Sequence, residues 1–400
     1  MESIKGSELE EMFGKQKKII VVTTALHCGG ITSFLIPIVN ELSKENDVTL
    51  AFTKDCGEFC GRISENVRLL RYVPLTKKQR ITAAIKKLNI LDLARVFFRN
   101  RKKHAAIASV QRLGYIWAEN TFVTDEKYDV AISTAEFFCN ALVVKRINAT
   151  KKIGWVHPDM SALRIDLKAA SNIIEVLDKL VAVSEVGLNS LRNLFPEHKD
   201  KFLYIENMLD EAYILSKANE PANEFDASHG VRRIVTVCRI DNSSKRLDRI
   251  VKIAKILKNR GVSFKWYIVG DGGDYESINS SISQNELQEF IFMVGRKLNP
   301  YPYIKNADCF VLTSQYEGKP IVIEEAKILH TPIVVTEYTS AHNQIPETMG
   351  AVVENCDGIL EEKIASYISD NAWLEKIRHT NKEFASTNAE SWNKINNLIG

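Results

Sequence analysis

The two halves of this 400-residue chain follow the same order of predicted elements, and this order constrains the fold most strongly. Each half opens on a segment rich in β-branched residues: KKIIVVTTAL at residues 17–26 and RRIVTVCRI at residues 232–240. Such segments are typical of strands that are buried on both faces of a parallel sheet. In each half a short turn, an amphipathic helix and another strand follow. The sequence therefore predicts two doubly wound α/β domains.

Further strands are predicted at residues 47–53, 128–134, 151–157 and 179–184, and in the second half at 263–270, 289–295, 306–314 and 331–338. The polar stretch 215–230 has the composition of a linker. We expect a Rossmann-like domain at 1–210, a second Rossmann-like domain at 211–380 and a final helix at 381–400. Residues 359–399 are expected to be helical throughout.

Composition excludes several classes of protein. The polar, acidic start is unlike a signal peptide, and no apolar run approaches the about 20 residues that span a bilayer. The formal net charge of +3 argues neither for nor against a nucleic-acid partner. Of seven scattered cysteines only Cys56 and Cys60 lie close together, without clustered histidines. We therefore expect no metal site, reduced thiols and a cytoplasmic protein.

Residues 76–105 form a strongly basic segment in the first half. Asp92 is its single acid, and apolar residues recur between the bases at roughly helical spacing. A basic amphipathic helix pair of this kind binds an anionic membrane surface, here the inner membrane face, or packs on its own domain with its charges solvated. Both alternatives stay open. No stacking aromatics accompany the charge, so nucleic acid is not expected. The bases are Lys77, Lys78, Arg80, Lys86, Lys87, Arg95, Arg99, Arg101, Lys102 and Lys103.

Two polar clusters follow predicted strands of the second half. Arg239 and Lys245 flank an Asn/Ser loop between a strand and a helix, a suitable place for a diphosphate. Glu317 and Gly318 form a turn after the strand that ends at Ser314, and Glu325 lies one to two helical turns further on. Carboxylates suit sugar hydroxyls, because each accepts directed hydrogen bonds. By spacing alone, either cluster is equally a solvated surface.

Taken in order, these features resemble the retaining glycosyltransferases of family four, which have the GT-B fold. The resemblance covers nearly the whole chain and implies two Rossmann-like domains facing across a cleft. The first, at 1–210, would bind the acceptor and the second, at 211–380, the nucleotide sugar, while the C-terminal helix at 381–400 would cross back and pack toward the first domain. It is carried by Gly29-Gly30, WVH at 155–157, Ser184-Glu185, Glu206-Asn207, Arg239 with Lys245, GDGGD at 270–274, the stretch 299–318, and Glu317 with Glu325.

The resemblance implies a role for each of these positions. Arg239 and Lys245 would neutralise the donor diphosphate, Glu325 would hold the ribose, and Glu317 with the backbone of Gly318, Lys319, Pro320 and Ile321 would hold the donor sugar. Gly270 and Arg296 would also contact the donor, and Gly29 and Gly30 would let their loop close over donor phosphate and acceptor. His157 would contact the sugar near the reacting carbon, with His27 as a competing candidate. No metal or other cofactor is implied, since the nucleotide sugar is a substrate.

The implied activity is metal-independent, retaining transfer of a hexosyl or N-acetylhexosaminyl group, with UDP the expected carrier. The acceptor would be a glycan, a lipid-linked sugar or a polymer of the cell surface. The chain departs from the family at Lys319-Pro320, where phenylalanine and glycine are common, and at Gly273, where proline is frequent. Alternatives are a non-catalytic partner subunit and a sugar-nucleotide epimerase. A dehydrogenase is disfavoured, because HCGGIT at 27–32 lacks the G-x-G-x-x-G order.

Overall fold

The computed structural model describes residues 16–24, 26, 30–53, 57–87, 107–222, 225 and 230–400. It divides into two compact units. The first contains the described residues up to Met208 together with Thr387–Gly400, and the second contains Leu209–Ser386.

The first unit is built on a seven-stranded parallel sheet with strand order β3-β2-β1-β4-β5-β6-β7. Residues Ile19 to Val22 of β1 are at most 1% exposed, as expected for a strand covered on both faces. The strands are β1 (Lys18–Val22), β2 (Asp47–Phe52), β3 (Val67–Arg71), β4 (Lys127–Ser133), β5 (Asn148–Val156), β6 (Lys179–Ala182) and β7 (Phe202–Tyr204). Its α-helices before residue 208 are α1 (Gly30–Leu42), α2 (Lys77–Lys87), α3 (Ile107–Glu119), α4 (Phe138–Arg146), α5 (Leu167–Val176) and α6 (Glu185–Leu194).

The second unit is built on a six-stranded parallel sheet with strand order β10-β9-β8-β11-β12-β13, the doubly wound order. Its strands are β8 (Arg232–Val237), β9 (Phe264–Val269), β10 (Ile291–Gly295), β11 (Cys309–Leu312), β12 (Ile333–Thr336) and β13 (Gly350–Val353). Its helices are α7 (Glu211–Lys217), α8 (Asn242–Lys245), α9 (Leu247–Asn259), α10 (Tyr275–Gln284), α11 (Tyr301–Asn306), α12 (Ile321–Ile328), α13 (Ala341–Gln344), α14 (Ile359–Ser369) and α15 (Asn371–Thr380). The two sheets confirm the predicted α/β class with two Rossmann-like units.

The last helix, α16 (Asn388–Ile399), belongs to the first unit. The ammonium group of Lys17 donates to the carbonyls of Ile399 and Gly400 at 2.7 and 3.0 Å, and Lys394 lies 5.3 Å above the ring of Tyr204. The prediction that residues 359–399 are helical throughout is wrong. Asp370 accepts from the amide of Trp373 at 2.9 Å and so starts α15 as a new helix after α14.

Three other expectations bear on the first unit. Helix α2 covers the start of the basic segment, and residues 88–105 of that segment lie outside the described residues. Cys60 is disulfide-bonded, so the expectation of reduced thiols is wrong for this cysteine. Over the described ranges, no helix is both long and apolar enough to cross a bilayer.

Candidate active site

The predicted donor-site residues of the second unit lie at the point where the strand order of its sheet reverses. Strands β8 and β11 are neighbours there, and β8 leads to β9 on one side while β11 leads to β12 on the other. Ligands of doubly wound sheets bind outside the carboxyl ends of the strands at this point. Arg239 and Lys245 follow β8, and Glu317 follows β11. The topology therefore brings together two loops that lie about seventy residues apart in the chain.

Lys245 and Glu317 form an ion pair that joins these two loops. The ammonium group of Lys245 donates to Oε1 of Glu317, and their side chains are 18% and 11% exposed. The hydroxyl of Ser314 donates to the same oxygen at 2.6 Å. Both contacts fall on Oε1, so the second carboxylate oxygen of Glu317 keeps its acceptor capacity.

Backbone and hydroxyl contacts hold the two loops in register. The amide of Gln315 donates to the carbonyl of Ser244 at 2.7 Å. The hydroxyl of Thr313 lies 3.1 Å from the carbonyl oxygens of both Lys245 and Arg246. These contacts fix the position of Lys245 relative to the strand that precedes Glu317.

A buried arginine lies beneath the same loops. Arg249 of α9 is 1% exposed, and it donates to the carbonyl of Thr313 at 3.0 Å, to Oε1 of Gln315 at 2.9 Å and to Asp357 at 2.6 Å. Arg246 also donates to Asp357, at 2.9 Å. Hydrogen bonds from both arginines lower the pKa of the Asp357 carboxyl, with that from Arg246 the larger cause. A buried guanidinium needs such partners, because an unpaired buried charge is very costly.

The start of helix α12 faces the same end of the sheet. Pro320 is its N-cap residue. The amides of Ile321 and Val322 in the first turn have no carbonyl partner within the helix. The Pro320 carbonyl accepts from Nε2 of Gln344 at 3.0 Å, and the Gly318 carbonyl accepts from the hydroxyl of Ser340. Lys319 between them is partly buried.

Glu325 lies on the buried side of α12 and is 7% exposed. The phenol of Tyr301 in α11 donates to its Oε1 at 3.3 Å. Glu325 is therefore a positioned, buried carboxylate rather than a solvated residue on the helix surface.

Gly270 ends β9 where that strand packs against the chain leaving β8. Its φ is +155°, and a Cβ atom at this position would lie 1.8 Å from the carbonyl oxygen of Cys238. A Cβ on Gly272 would lie 2.2 Å from the carbonyl oxygen of Ile240. By contrast, a Cβ on Gly273 would meet no atom within 4 Å. The glycines at 270 and 272 therefore allow two backbone segments to touch below the loop that carries Arg239.

The remaining predicted cations are more exposed. Arg239 is 70% exposed and pairs with Asp241 at 3.3 Å, and Arg296 is an exposed residue directly after β10. Among the described residues, no hydrogen bond joins either arginine to the Lys245–Glu317 pair. Cys238 directly precedes Arg239, and burial raises the pKa of its thiol to about 12. The thiol is therefore protonated near neutral pH and is not a nucleophile.

His157 occupies the corresponding end of the first unit's sheet, directly after β5. Its Nε2 lies 2.8 Å from the carbonyl oxygen of Thr134, and its ring packs 4.8 Å from the ring of Phe34. A carbonyl only accepts, so Nε2 carries the proton and Nδ1 is the acceptor of the neutral ring. Burial lowers the pKa of His157, while the carboxylate of Glu136 acts in the opposite direction. The imidazole is therefore neutral near pH 7.

The glycine turn of the first unit is only partly described. Gly30 is the first residue of α1 and is exposed, whereas Gly29 and the competing candidate His27 lie outside the described residues.

Sequence reasoning missed the residues that support the donor loops. Among them, Arg249 alone left a signal in the sequence, because it lies on the otherwise apolar face of an amphipathic helix. Gln315, Asp357, Tyr301 and Gln344 stand in no pattern that separates them from surface residues. Within the part of the chain that the structure describes, no three His, Cys, Asp or Glu side chains are grouped to hold a metal ion.

Comparisons with known proteins agree with this architecture. Residues 221–385 match the family model described as glycosyl transferases group 1. This match lies within the second unit. The chain also matches the amylovoran biosynthesis glycosyltransferase AmsK of Erwinia amylovora, with 31% identity over 30% of this chain and 31% of AmsK. The capsular polysaccharide biosynthesis glycosyltransferase CapM of Staphylococcus aureus is 25% identical over 46% of each protein.

Among solved structures, HepE of Anabaena in complex with UDP-glucose superposes with a TM-score of 0.69 at 13% identity, over 96% of this chain and 100% of HepE. This similarity confirms the GT-B fold class for the chain. The chain spans about a third to a half of the length of the first curated glycosyltransferases that it matches.

Proposed function

We propose that this protein is a retaining, metal-independent glycosyltransferase. It moves a hexosyl or N-acetylhexosaminyl group from a UDP-sugar to a glycan, lipid-linked or polymer acceptor in cell-surface polysaccharide synthesis. The observation that carries the proposal is the Lys245–Glu317 pair, which joins two loops at the strand-order reversal of the group 1 domain. The donor in the HepE complex and the polysaccharides in the names of AmsK and CapM support the substrate classes.

In this proposal the donor diphosphate binds next to Lys245, with the exposed Arg239 as a second cation. Charge develops on the diphosphate as the bond to the sugar breaks, and fixed cations stabilise that charge most in the transition state. The free amides at the start of α12 add partial positive charge at the same end of the sheet. Together these groups supply the neutralisation that a divalent ion supplies in other transferases, and this is the reason to propose that no metal is needed.

The two glutamates hold the rest of the donor. Glu317 retains one carboxylate oxygen for a sugar hydroxyl, because Lys245 and Ser314 both contact the other. Glu325 is buried and oriented by Tyr301, as a residue that holds the ribose must be. Pro320 contributes no amide to the sugar, so the donor preference is expected to differ from that of relatives with glycine at this position.

His157 would serve the donor sugar as a hydrogen-bond acceptor rather than as an acid. Its Nε2 proton is directed to Thr134, which leaves Nδ1 for a sugar hydroxyl. The leaving phosphate oxygen would take the proton of the attacking hydroxyl on the same face of the sugar, which retains the anomeric configuration.

We also propose that the protein is cytoplasmic and binds the inner membrane face through its basic segment. In support, α2 carries Lys77 and Lys78, Ile85 of this helix is 59% exposed, and the preceding Val73 is 79% exposed. Apolar side chains beside bases favour an anionic lipid surface over water.

The proposal is tested with purified protein and a panel of UDP-glucose, UDP-galactose and UDP-N-acetylglucosamine, with and without EDTA. We expect slow, EDTA-insensitive release of UDP from one donor, and that donor to raise the melting temperature. NMR of the transferred sugar should show the anomeric configuration of the donor. Absence of turnover of every nucleotide sugar, combined with tight glycan binding, would instead favour the non-catalytic partner.

A further inference from the structure

Glu136 lies at the carboxyl end of β4, where the strand order of the first unit's sheet reverses between β1 and β4. Strand β5 pairs with β4 on the other side, and its carboxyl end carries His157. The Glu136 carboxylate acts electrostatically on His157 and opposes the effect of burial on its pKa. These two polar side chains therefore lie near each other at the end of a sheet where ligands of doubly wound domains bind.

The carboxylate of Glu136 is incompletely satisfied. Its Oε2 atom is buried, and no group among the described residues forms a hydrogen bond with it. Neighbouring polar groups do have partners: the hydroxyl of Ser133 donates to Asn140, and that of Thr134 donates to the Val22 carbonyl at 3.2 Å. Buried acceptors without a donor are rare in folded proteins, because water satisfies them in the unfolded chain.

The next residue adds a second unfavourable feature. Phe137 has φ +56° and ψ −99°, a backbone conformation that side chains with a Cβ atom rarely adopt, and it starts α4 without a side-chain cap. Backbone strain persists where the surrounding structure enforces it, and it is concentrated at functional sites. Glu136 and Phe137 thus each have a feature that lowers the stability of the folded protein. Two such residues in succession indicate that this turn has a binding role.

We propose that Glu136 binds a hydroxyl group of the acceptor sugar, accepting a hydrogen bond on its buried carboxylate oxygen. This inference rests on the proposed function and specifies its acceptor site. A carboxylate repels the donor diphosphate, so its ligand is a neutral or cationic hydrogen-bond donor. The Nδ1 atom of His157 is the acceptor proposed for the donor sugar, so Glu136 supplies the acceptor atom for the incoming sugar. A carboxylate oxygen fits a sugar hydroxyl, and it also fits the ammonium group of an amino sugar.

The test compares Glu136→Gln with wild type, using the UDP-sugar that supports turnover and p-nitrophenyl hexosides as probe acceptors. We expect kcat/KM for the hexoside to fall about 10- to 100-fold, since a hydrogen bond to a charged group is lost. Without hexoside, UDP is released by hydrolysis of the donor, in which water replaces the acceptor sugar. The rate of this release should stay within about twofold of wild type, because water does not need the acceptor site. The melting temperature should be unchanged or higher, because the charge is removed from a carboxylate with a buried, unpaired oxygen.

Glu175→Gln is the matched control, because Glu175 is an exposed glutamate of the same unit and the same charge is removed. An unchanged hexoside KM in Glu136→Gln would overturn the inference. A lower rate of UDP release together with a lower melting temperature would also overturn it, since that pattern indicates a structural role. If wild type releases no UDP from any donor, the proposed function fails instead.

Where no hexoside is a substrate, the inference is tested by measuring the binding of methyl hexosides with saturation-transfer NMR. Signals that weaken in Glu136→Gln and persist in Glu175→Gln support the inference. Equal signals in both variants, or no signals with wild type, contradict it.

Discussion

The donor loops of the second unit and the turn after β4 in the first unit differ in how their polar and charged side chains are paired. In the second unit Lys245 pairs with Glu317, and Arg249 pairs with Asp357. In the first unit one carboxylate oxygen of Glu136 is buried and has no hydrogen-bond partner within the described ranges, and His157 is held in its neutral form. The second unit therefore uses its charges to hold loops together, whereas the first leaves acceptors for a ligand.

This difference implies that substitutions in the two regions have different consequences. In the donor loops, the same side chains support the fold and the proposed chemistry, so stability and activity should fall together. At the turn after β4, loss of activity should occur without loss of stability. The following variants test this contrast, from the largest expected effect to the smallest.

Gly270→Ala should give the largest effect, because its Cβ would lie 1.8 Å from the Cys238 carbonyl oxygen. We expect a loss of about 4 kcal/mol or more in the free energy of unfolding of the second unit. Gly273→Ala is the matched control, with an expected change of about 0.5 kcal/mol or less because no atom lies near its added methyl group. Urea denaturation of both variants measures the difference. Equal free energies of unfolding for the two variants would show that the backbone contact does not restrict residue 270 to glycine.

Lys245→Ala should lower kcat for UDP release by about 100- to 1,000-fold, since a fixed cation beside the leaving diphosphate is lost. The protein should still fold, because Ser314 continues to donate to Glu317. Circular dichroism checks the fold, and Lys382→Ala, at an exposed lysine of the same unit, controls for the loss of charge. Near-normal turnover in Lys245→Ala would contradict the role assigned to Lys245.

Arg249→Met should destabilise the second unit by about 2–4 kcal/mol, because the acceptors on Thr313 and Gln315 lose a buried donor. The half-exposed Asp357 can be hydrated, which limits the loss. Arg260→Met removes the exposed pair with Glu362 and should cost less than about 1 kcal/mol. Thermal denaturation compares the two. A smaller loss in Arg249→Met than in Arg260→Met would contradict the supporting role.

His157 should give the smallest effect, visible as a pH dependence of stability. Its pKa is lowered below the ordinary 6.5, so the unfolded chain takes up the proton first as pH falls. Stability from the neutral ring is therefore present above pH 6.5 and is lost below it, by up to about 1 kcal/mol between about pH 7 and pH 5.5. His157→Gln should lack this part of the pH dependence in thermal scans. Identical profiles for the two proteins would show that the pKa is not lowered.

Much of the fold could be predicted from the sequence, because strands buried on both faces and amphipathic helices have local patterns. The same reasoning placed Lys245 and Glu317 in loops after strands, and the sheet order then brought them together. It missed the break at Asp370, where a single capping side chain separates two helices of similar composition. It also missed Gln315, Tyr301 and Asp357, whose partners are distant in the chain.

The sequence by itself determined the two doubly wound units and the loops that carry the candidate site, because hydrophobic periodicity and turn residues act over a few neighbours. Only the tertiary structure decided which charges pair. Arg249 meets Asp357 across 108 residues, and Lys245 meets Glu317 across 72. It also decided that Oε2 of Glu136 has no hydrogen-bond partner among the described residues and that Gly270 touches the backbone beside Cys238. Such contacts depend on which strands become neighbours, and no local pattern in the sequence records that choice.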